Sequence, residues 1–290
     1  LHRTGSRPIL PRTTRNLDSD SHTARGVLML GGTFVDYPNF DPAILSINFE
    51  DTTTDQTGGE QELRYDVPQW YLSIPAGVNR LVDIGKDNPL FRQQLVVVPG
   101  QFKATSTAGS PTTTGIMRLY SDLELMVYSA SSGAAGDSLD FLSPSIWGVS
   151  ASADTSGEIT FNALIEDQEP GTGLPAAAAA TGIMRVVVLY RHINSDTWSR
   201  ADLGYDSASK EASGTVNITT AGQYEYFVQA VDNAGNVSAL LNHGTYFTVD
   251  AAVTAPPTST STPTSTSTPT STSTPTTTST PTATYTPTAT

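Results

Sequence analysis

The sequence predicts an all-β protein of two tandem antiparallel β-sandwiches, with an extended N-terminal arm and a polyproline II-like C-terminal tail. Between residues 25 and 250, short β-rich runs alternate with clusters of Gly, Pro, Asn, Asp and Ser, and helical periodicity is almost absent. A stretch rich in Gly, Ser and Ala extends from Ser129 to Asp137, and Thr, Ser, Pro and Ala dominate the chain after residue 250. We therefore expect an arm (1–25), a first sandwich (26–130), a linker (131–143), a second sandwich (144–250) and a tail (251–290).

The first half contains six predicted strands. The last of them alternates apolar and polar residues, which is typical of a strand with one face in the core and one in solvent; Arg118 and Tyr120 fall on its polar face. Leu95 to Val98 are apolar on both faces, which suits a central strand that ends at Pro99. The predicted strands are 26–31, 43–49, 63–74, 80–84, 91–106 and 115–129.

The second half contains seven predicted strands, which is the number in an immunoglobulin-like or fibronectin-like sandwich. Val187 and Leu189 lie on the second face of an apolar strand, where a neighbouring domain or subunit would cover them. Residues 169–180 form a proline- and alanine-rich insertion, either a tolerated loop or a lateral contact. The predicted strands are 145–153, 158–166, 182–192, 197–205, 214–219, 223–231 and 240–249.

Two runs carry a family resemblance that covers about residues 144–250. The run QYEYFVQAVDNAGN from Gln223 to Asn236 resembles the F strand and F–G turn of bacterial extracellular Ig-like and fibronectin type III-like domains. The run GIMRVVVLYR at 182–191 resembles their strand C. The resemblance implies a display or adhesion module of a secreted protein, without catalytic residues. It also implies that Tyr224 or Tyr226 forms a tyrosine corner, and we expect Trp147 and Trp198 in the core.

The tail is a strict repeat. Proline returns at every sixth position from Pro257 to Pro287, and threonine occupies every even position from Thr258 to Thr290. This composition favours polyproline II and is typical of an O-glycosylated, mucin-like stalk; the alternative is a bare flexible linker. Either one places the protein outside the cell or at its surface. The predicted glycosylation sites are Thr258, Thr260, Thr262, Thr264, Thr266, Thr268, Thr270, Thr272, Thr274 and Thr276.

Charge is distributed unevenly along the chain. The arm has five arginines against two aspartates, a net charge of +3, whereas residues 26–250 carry −16. An acidic body repels phosphate, so we expect no nucleic-acid partner. The basic arm either docks on a neighbouring copy or is a disordered leader. Cysteine is absent, no apolar run is long enough to span a bilayer, and the start at Leu1 suggests a processed or excised piece.

The sequence contains no recognisable catalytic motif. The four histidines form no zinc-binding pair, and no nucleophile elbow or phosphate-binding loop is present. We therefore expect a non-catalytic protein that requires no cofactor.

One calcium site is predicted at a pole of the second sandwich. The predicted strands 158–166 (B) and 223–231 (F) end there, so Glu166 and Asp167 approach Asp232, Asn233 and Asn236, whose oxygens suit calcium. The alternative is that residues 232–236 only form a turn. A weaker calcium pattern in the arm comprises Asn16, Asp18 and Asp20.

Three functional classes fit these features. The favoured one is a structural subunit of a bacterial surface fibre, filament or layer that self-associates and carries glycans on its tail. The alternatives are a stalked adhesion or carbohydrate-binding module, and the non-catalytic C-terminal part of a secreted hydrolase.

Overall fold

A computed structural model confirms the all-β fold class. It describes residues 1–4, 7–19, 21–44, 65–82, 91–106, 113–131, 140–168 and 180–253. These residues form fourteen β-strands, and none of them lies in an α-helix. Residues 254–290 of the tail, with the ten predicted glycosylation sites, the insertion at 169–179 and most of the predicted linker lie outside the described residues.

The N-terminal half differs from the predicted strand pattern in several places. The second strand extends from His22 to Phe40, much further than the predicted 26–31. Residues 65–74 were expected to be a strand but make only an isolated bridge from Tyr71 to Phe102. Pro99 divides the predicted strand 91–106 in two. The strands are β1 (Thr13–Asn16), β2 (His22–Phe40), β3 (Ala76–Val82), β4 (Phe91–Val97), β5 (Gly100–Ala104) and β6 (Gly115–Ser131).

The C-terminal half follows the sequence pattern closely, because its strands alternate regularly and end at clear turn residues. The one difference in number is that the predicted strand 240–249 is replaced by two strands separated by a turn. The strands are β7 (Ser145–Ala153), β8 (Glu158–Glu166), β9 (Ile183–His192), β10 (Thr197–Asp206), β11 (Glu211–Asn217), β12 (Gly222–Asp232), β13 (Val237–Leu240) and β14 (Phe247–Ala251).

Strands from both predicted sandwiches belong to one hydrogen-bonded sheet. Its hydrogen-bonded neighbours follow the order β13-β12-β9-β10-β11-β8-β7. In addition, β2 pairs with β10 and β6, and β5 pairs with β6. The link is the pairing of Thr197 and Trp198 with Thr33 and Gly32. Residues 1–254 form one compact unit, and strands from the predicted ranges 26–130 and 144–250 share one sheet.

The centre of this unit is the antiparallel pair β9 and β12, which is apolar on both faces. Val186 and Val188 face a core made mainly with β8, β11 and β12. Val187 packs with Leu28 and Leu30 of β2, and Leu189 packs with Phe34 of β2. The predicted cover for Val187 and Leu189 is thus supplied by the N-terminal half of the same chain.

β2 approaches this pair very closely. A Cβ atom at Gly26 would lie 2.5 Å from Cγ2 of Val237, so only glycine fits there. The buried Gln229 side chain meets Met29 with both ends of its amide: its Oε1 accepts from the Met29 N–H at 3.0 Å and its Nε2 donates to the Met29 carbonyl at 2.8 Å. This side chain satisfies backbone groups that would otherwise be buried without partners.

The prediction that one face of β6 lies in solvent is wrong for two of its residues. Arg118 and Tyr120 are buried, because residues 65–75 and β2 cover this face. The guanidinium of Arg118 lies 3.7 Å from the ring centre of Phe34 and 4.3 Å from that of Trp70. It donates two hydrogen bonds to Asp36, each of 2.8 Å. Stacking and ion pairing together offset the cost of burying this charge.

The N-terminal arm folds back on its own chain. Its strand β1 forms one edge of the three-stranded sheet β1-β4-β3, with Thr14 opposite Val96. Leu10 is fully buried beside Phe102 and Met117. The four residues of β1 are exposed. The arm is therefore an ordered edge element in this chain and not a disordered leader.

Candidate metal centre

Three aspartates from distant parts of the sequence meet at one end of the β9–β12 pair. Asp140 lies shortly before β7, Asp167 directly follows β8, and Asp232 is the last residue of β12. One carboxylate oxygen from each lies within 4.8 Å of the others. A calcium ion that binds oxygens at about 2.4 Å keeps its ligand atoms within about 4.8 Å of one another. The spacing therefore suits a single hard cation.

Burying three carboxylates together costs free energy unless a positive charge compensates them. Asp140 and Asp232 are buried, and Asp167 is half-buried. Desolvation raises the pKa of Asp167, and the nearby Asp140 carboxylate raises it further. Desolvation also raises the pKa of Asp232, with smaller contributions from Asp167 and Asp140. Either protons or a cation would relieve the repulsion.

Neighbouring groups orient the three carboxylates. The backbone N–H of Gly182 donates to Asp167 Oδ2 at 2.6 Å. The hydroxyl of Thr181 donates to Asp140 Oδ2 at 3.1 Å. The turn after β12 holds Asp232, because the N–H of Asn236 donates to its Oδ1 at 2.8 Å. These bonds leave lone pairs on the carboxylate oxygens for a metal ion.

One oxygen in the cluster has no protein donor. Oδ1 of Asp167 is buried and has no hydrogen-bond partner among the described residues. A buried acceptor without a partner costs about 1–3 kcal/mol, and a bound cation would remove this cost. Three carboxylates and no nitrogen or sulfur ligand favour calcium over zinc or copper. The residues present therefore fit the predicted ion.

The five predicted ligands have different roles in the structure. Asp167 and Asp232 belong to the cluster. Glu166 instead pairs with Lys210, because consecutive strand residues face opposite ways. Asn233 is exposed, and its amide donates to the Thr181 carbonyl at 2.7 Å. Asn236 is buried, and its amide donates to Asp232 Oδ2 at 2.7 Å, so it positions a ligand.

The turn alternative for residues 232–236 is compatible with the site. Gly235 adopts a positive φ of 86°, and its N–H donates to the Asp232 carbonyl at 3.1 Å. The same turn brings the N–H and the amide of Asn236 to the Asp232 carboxylate. Turn formation and ligand orientation are therefore one structural feature.

Asp140 was missed because sequence analysis placed it in the linker. Its side chain lies within hydrogen-bonding distance of Thr181, which is 41 residues later in the chain. The sequence around it gave no local signal for burial, since the neighbouring Phe141 and Leu142 are exposed.

The weaker calcium pattern in the arm accepts hydrogen bonds from backbone N–H groups. Asn16 Oδ1 accepts from the N–H of Asp18 at 2.8 Å, and Asp18 Oδ1 accepts from the N–H of Gln93. Asp20 lies outside the described residues.

Of the four aromatic residues predicted to be structural, three are buried and one is exposed. Tyr224 is buried, and its hydroxyl donates to the Thr220 carbonyl at 2.8 Å, as a tyrosine corner requires. Tyr226 and Trp198 are also buried. Trp147 is 39% exposed, because a bulge between Trp147 and Ser150 interrupts the alternation of β7.

Comparison of the chain with protein-family models and with curated proteins gives no match. Among the described residues, none forms a helix of the length and apolar character that crossing a bilayer requires.

We predict that calcium stabilises the protein through this cluster. A free calcium concentration about 100-fold above the Kd adds about 2.7 kcal/mol to the free energy of unfolding. For a unit of this size, the melting temperature should rise by about 5–10 °C. Asp167→Asn should abolish the rise, whereas Glu166→Gln should retain it. An unchanged melting temperature on chelation, or equal loss in both variants, would contradict a metal at this site.

We also predict a pH effect in the metal-free protein. The raised pKa values of Asp167 and Asp232 mean that the folded state binds protons more tightly than the unfolded state. The repulsion therefore lowers stability at neutral pH and is relieved as the pH falls through these raised values. Relative to Asp167→Asn, the wild type should gain stability on acidification, as measured by urea unfolding. Parallel pH profiles for the two chains would count against this prediction.

Proposed function

We propose that this protein is a non-catalytic structural subunit of a bacterial extracellular fibre or surface layer, carried on a glycosylated stalk. Self-association through the N-terminal arm builds the assembly. The observation that carries the proposal is that the arm is an edge element: β1 pairs with β4 and is otherwise exposed, and Leu10 packs in a buried cluster with Phe102 and Met117. A second copy offers the same sites, so the arm can occupy them in another chain.

Charge supports this arrangement. The arm carries +3 and the rest of the chain up to residue 250 carries −16. Arg3, Arg12 and Arg15 are exposed on the arm. An arm that reaches another copy therefore enters an acidic environment, which favours encounter at low ionic strength.

We propose that residues 144–250 form the Ig-like or fibronectin type III-like display module of this subunit. The succession of short antiparallel strands from β7 to β14 and the Tyr224 hydrogen bond support this proposal. Calcium braces the module, because its ligands join the segment before β7, the end of β8 and the end of β12. The brace thus connects three elements whose termini would otherwise repel one another.

The tail supplies the stalk. Its repeat has no charge and no apolar periodicity, which suits an extended, solvated chain. Glycans on threonine would extend it further and hold the body away from the cell surface. The extracellular location in this proposal depends on this composition.

We predict that the arm exchanges between copies. Since the chain has no cysteine, Thr14→Cys and Val96→Cys can be placed in separate chains, at positions that face each other across β1 and β4. After the two variants are assembled together and oxidised, a disulfide should join two different chains and appear on non-reducing gels.

A pair in the body provides the control. Ala163→Cys and Ala212→Cys, also placed in separate chains, occupy positions that face each other across β8 and β11 and should form no disulfide between chains. If the Thr14→Cys and Val96→Cys chains form no disulfide with each other while polymers are visible by electron microscopy, arm exchange is wrong. If the full chain is monomeric at every concentration, the proposed assembly is wrong, and the stalked adhesion module becomes the favoured function.

We predict that the stalk is modified in native material. The intact mass should exceed 30.6 kDa, with the excess on peptides after Pro257. Peptides from residues 144–250 of the same sample provide the internal comparison. Tail peptides that carry only unmodified threonine would contradict the proposed glycosylation of the stalk.

A further inference from the structure

A small pocket lies between the N-terminal arm and the three-stranded sheet β1-β4-β3. Its volume is about 240 Å³, which is below the range of about 300–1,000 Å³ for pockets that hold drug-sized ligands. The arm contributes His2 and Arg12, and the sheet contributes Gly77, Val96 and Val98. The remaining lining residues are Leu72, Ile74, Pro75, Ala76 and Asn79. The pocket therefore suits a ligand smaller than a drug molecule.

The strand register explains why these residues meet on one face of the sheet. Val96 is opposite Thr14 of β1 and Gly77 of β3, and directly opposed residues of antiparallel strands point to the same face. Side chains alternate along a strand. Val98, two residues after Val96, and Arg12, two residues before Thr14, therefore lie on this face as well.

Gly77 leaves open space in the floor of the pocket. A Cβ atom at this position would have no heavy atom of the described residues within 4 Å, apart from its neighbours in the chain. The backbone of Gly77 does not adopt a positive φ, so the conformation itself does not require glycine. The missing side chain therefore creates room for a ligand above the strand pair.

Arg12 supplies the positive charge of the pocket. Within the described part of the chain, no carboxylate forms an ion pair with Arg12, and the lining contains no acidic residue. Nε2 of His2 lies 3.0 Å from the hydroxyl oxygen of Tyr71. Burial, and then the charge of Arg12, lower the pKa of His2. The imidazole is therefore a neutral hydrogen-bonding group at neutral pH.

We propose that this pocket binds a small carboxylic acid with a compact aliphatic body. The guanidinium of Arg12 has the fork geometry that donates two parallel hydrogen bonds to a carboxylate. The aliphatic side chains of Ile74, Val96 and Val98 provide the apolar surface for the rest of the molecule. The inference goes beyond the proposed function and does not depend on assembly.

The charge of the surroundings favours a monoanion over a phosphate or a dicarboxylate. Arg12 is the one guanidinium among the lining residues, and residues 26–250 carry a net charge of −16. A body of this charge repels anions of higher charge more strongly. One carboxylate matches the single cation, and the apolar part of the lining selects against a fully polar ligand.

Isothermal titration calorimetry of the full chain with isovalerate tests the proposal. We expect saturable binding of one molecule per chain. Isovaleramide has the same carbon skeleton without the charge, and it should bind about 10-fold more weakly or worse, because it lacks charge-assisted hydrogen bonds.

Two variants with matched controls locate the site. Arg12→Gln should raise the Kd for isovalerate about 10-fold or more. Arg15→Gln removes the same charge from the arm, but Arg15 is opposite Leu95 and lies on the other face of the sheet, so binding should be retained. Gly77→Val should abolish binding, because the added side chain occupies the pocket. Gly204→Val is its control, since a Cβ there meets its nearest neighbour at an ordinary 3.7 Å.

Circular dichroism verifies that each variant is folded. The proposal is wrong if isovalerate does not bind the unaltered chain at concentrations up to about 10 mM, or if the amide binds as tightly as the acid. Equal weakening by Arg12→Gln and Arg15→Gln would mean that the acid responds only to the charge of the arm. Unchanged binding to Gly77→Val would mean that it binds elsewhere. Either result overturns the site, and neither bears on arm exchange, which the disulfide experiment tests separately.

Discussion

The β9–β12 pair constrains the rest of this structure, because it is apolar on both faces. A strand pair of this kind must be covered on both sides. One cover comes from β8 and β11, and the other comes from β2, with Leu28, Leu30 and Phe34. The close approach of Gly26 to Val237 and the hydrogen bonds of Gln229 to Met29 follow from this second cover. The two halves of the chain therefore share one core.

The shared core places polar groups where water cannot solvate them. Arg118 is buried among aromatic rings and held by Asp36. Asp140, Asp167 and Asp232 converge where three chain segments end. Each arrangement is costly unless opposite charge or hydrogen bonds compensate it. For Arg118 the compensation is a carboxylate of the same chain, whereas for the three aspartates it is the cation that we infer.

The surface divides between elements that avoid association and elements that favour it. Pro38 and Asn39 make the end of β2 a poor edge for strand addition, while the adjacent face stays apolar. β1 is an exposed edge whose pairing with β4 is available to another copy. Acidic charge elsewhere keeps copies apart.

The sequence by itself determined the all-β class, the bounds of β7 and β8 and the apolar character of both faces of β9, because strand period and turn residues are local properties. It also identified Asp167 and Asp232 as neighbours from the order of strands in a sandwich. Only the tertiary structure decided that Asp140 joins them, that Glu166 turns away and that Arg118 is buried. The bulge that exposes Trp147 and the sharing of one core by both halves were decided there too. These features depend on contacts between residues far apart in the chain, and local periodicity carries no information about which distant segment covers a given face.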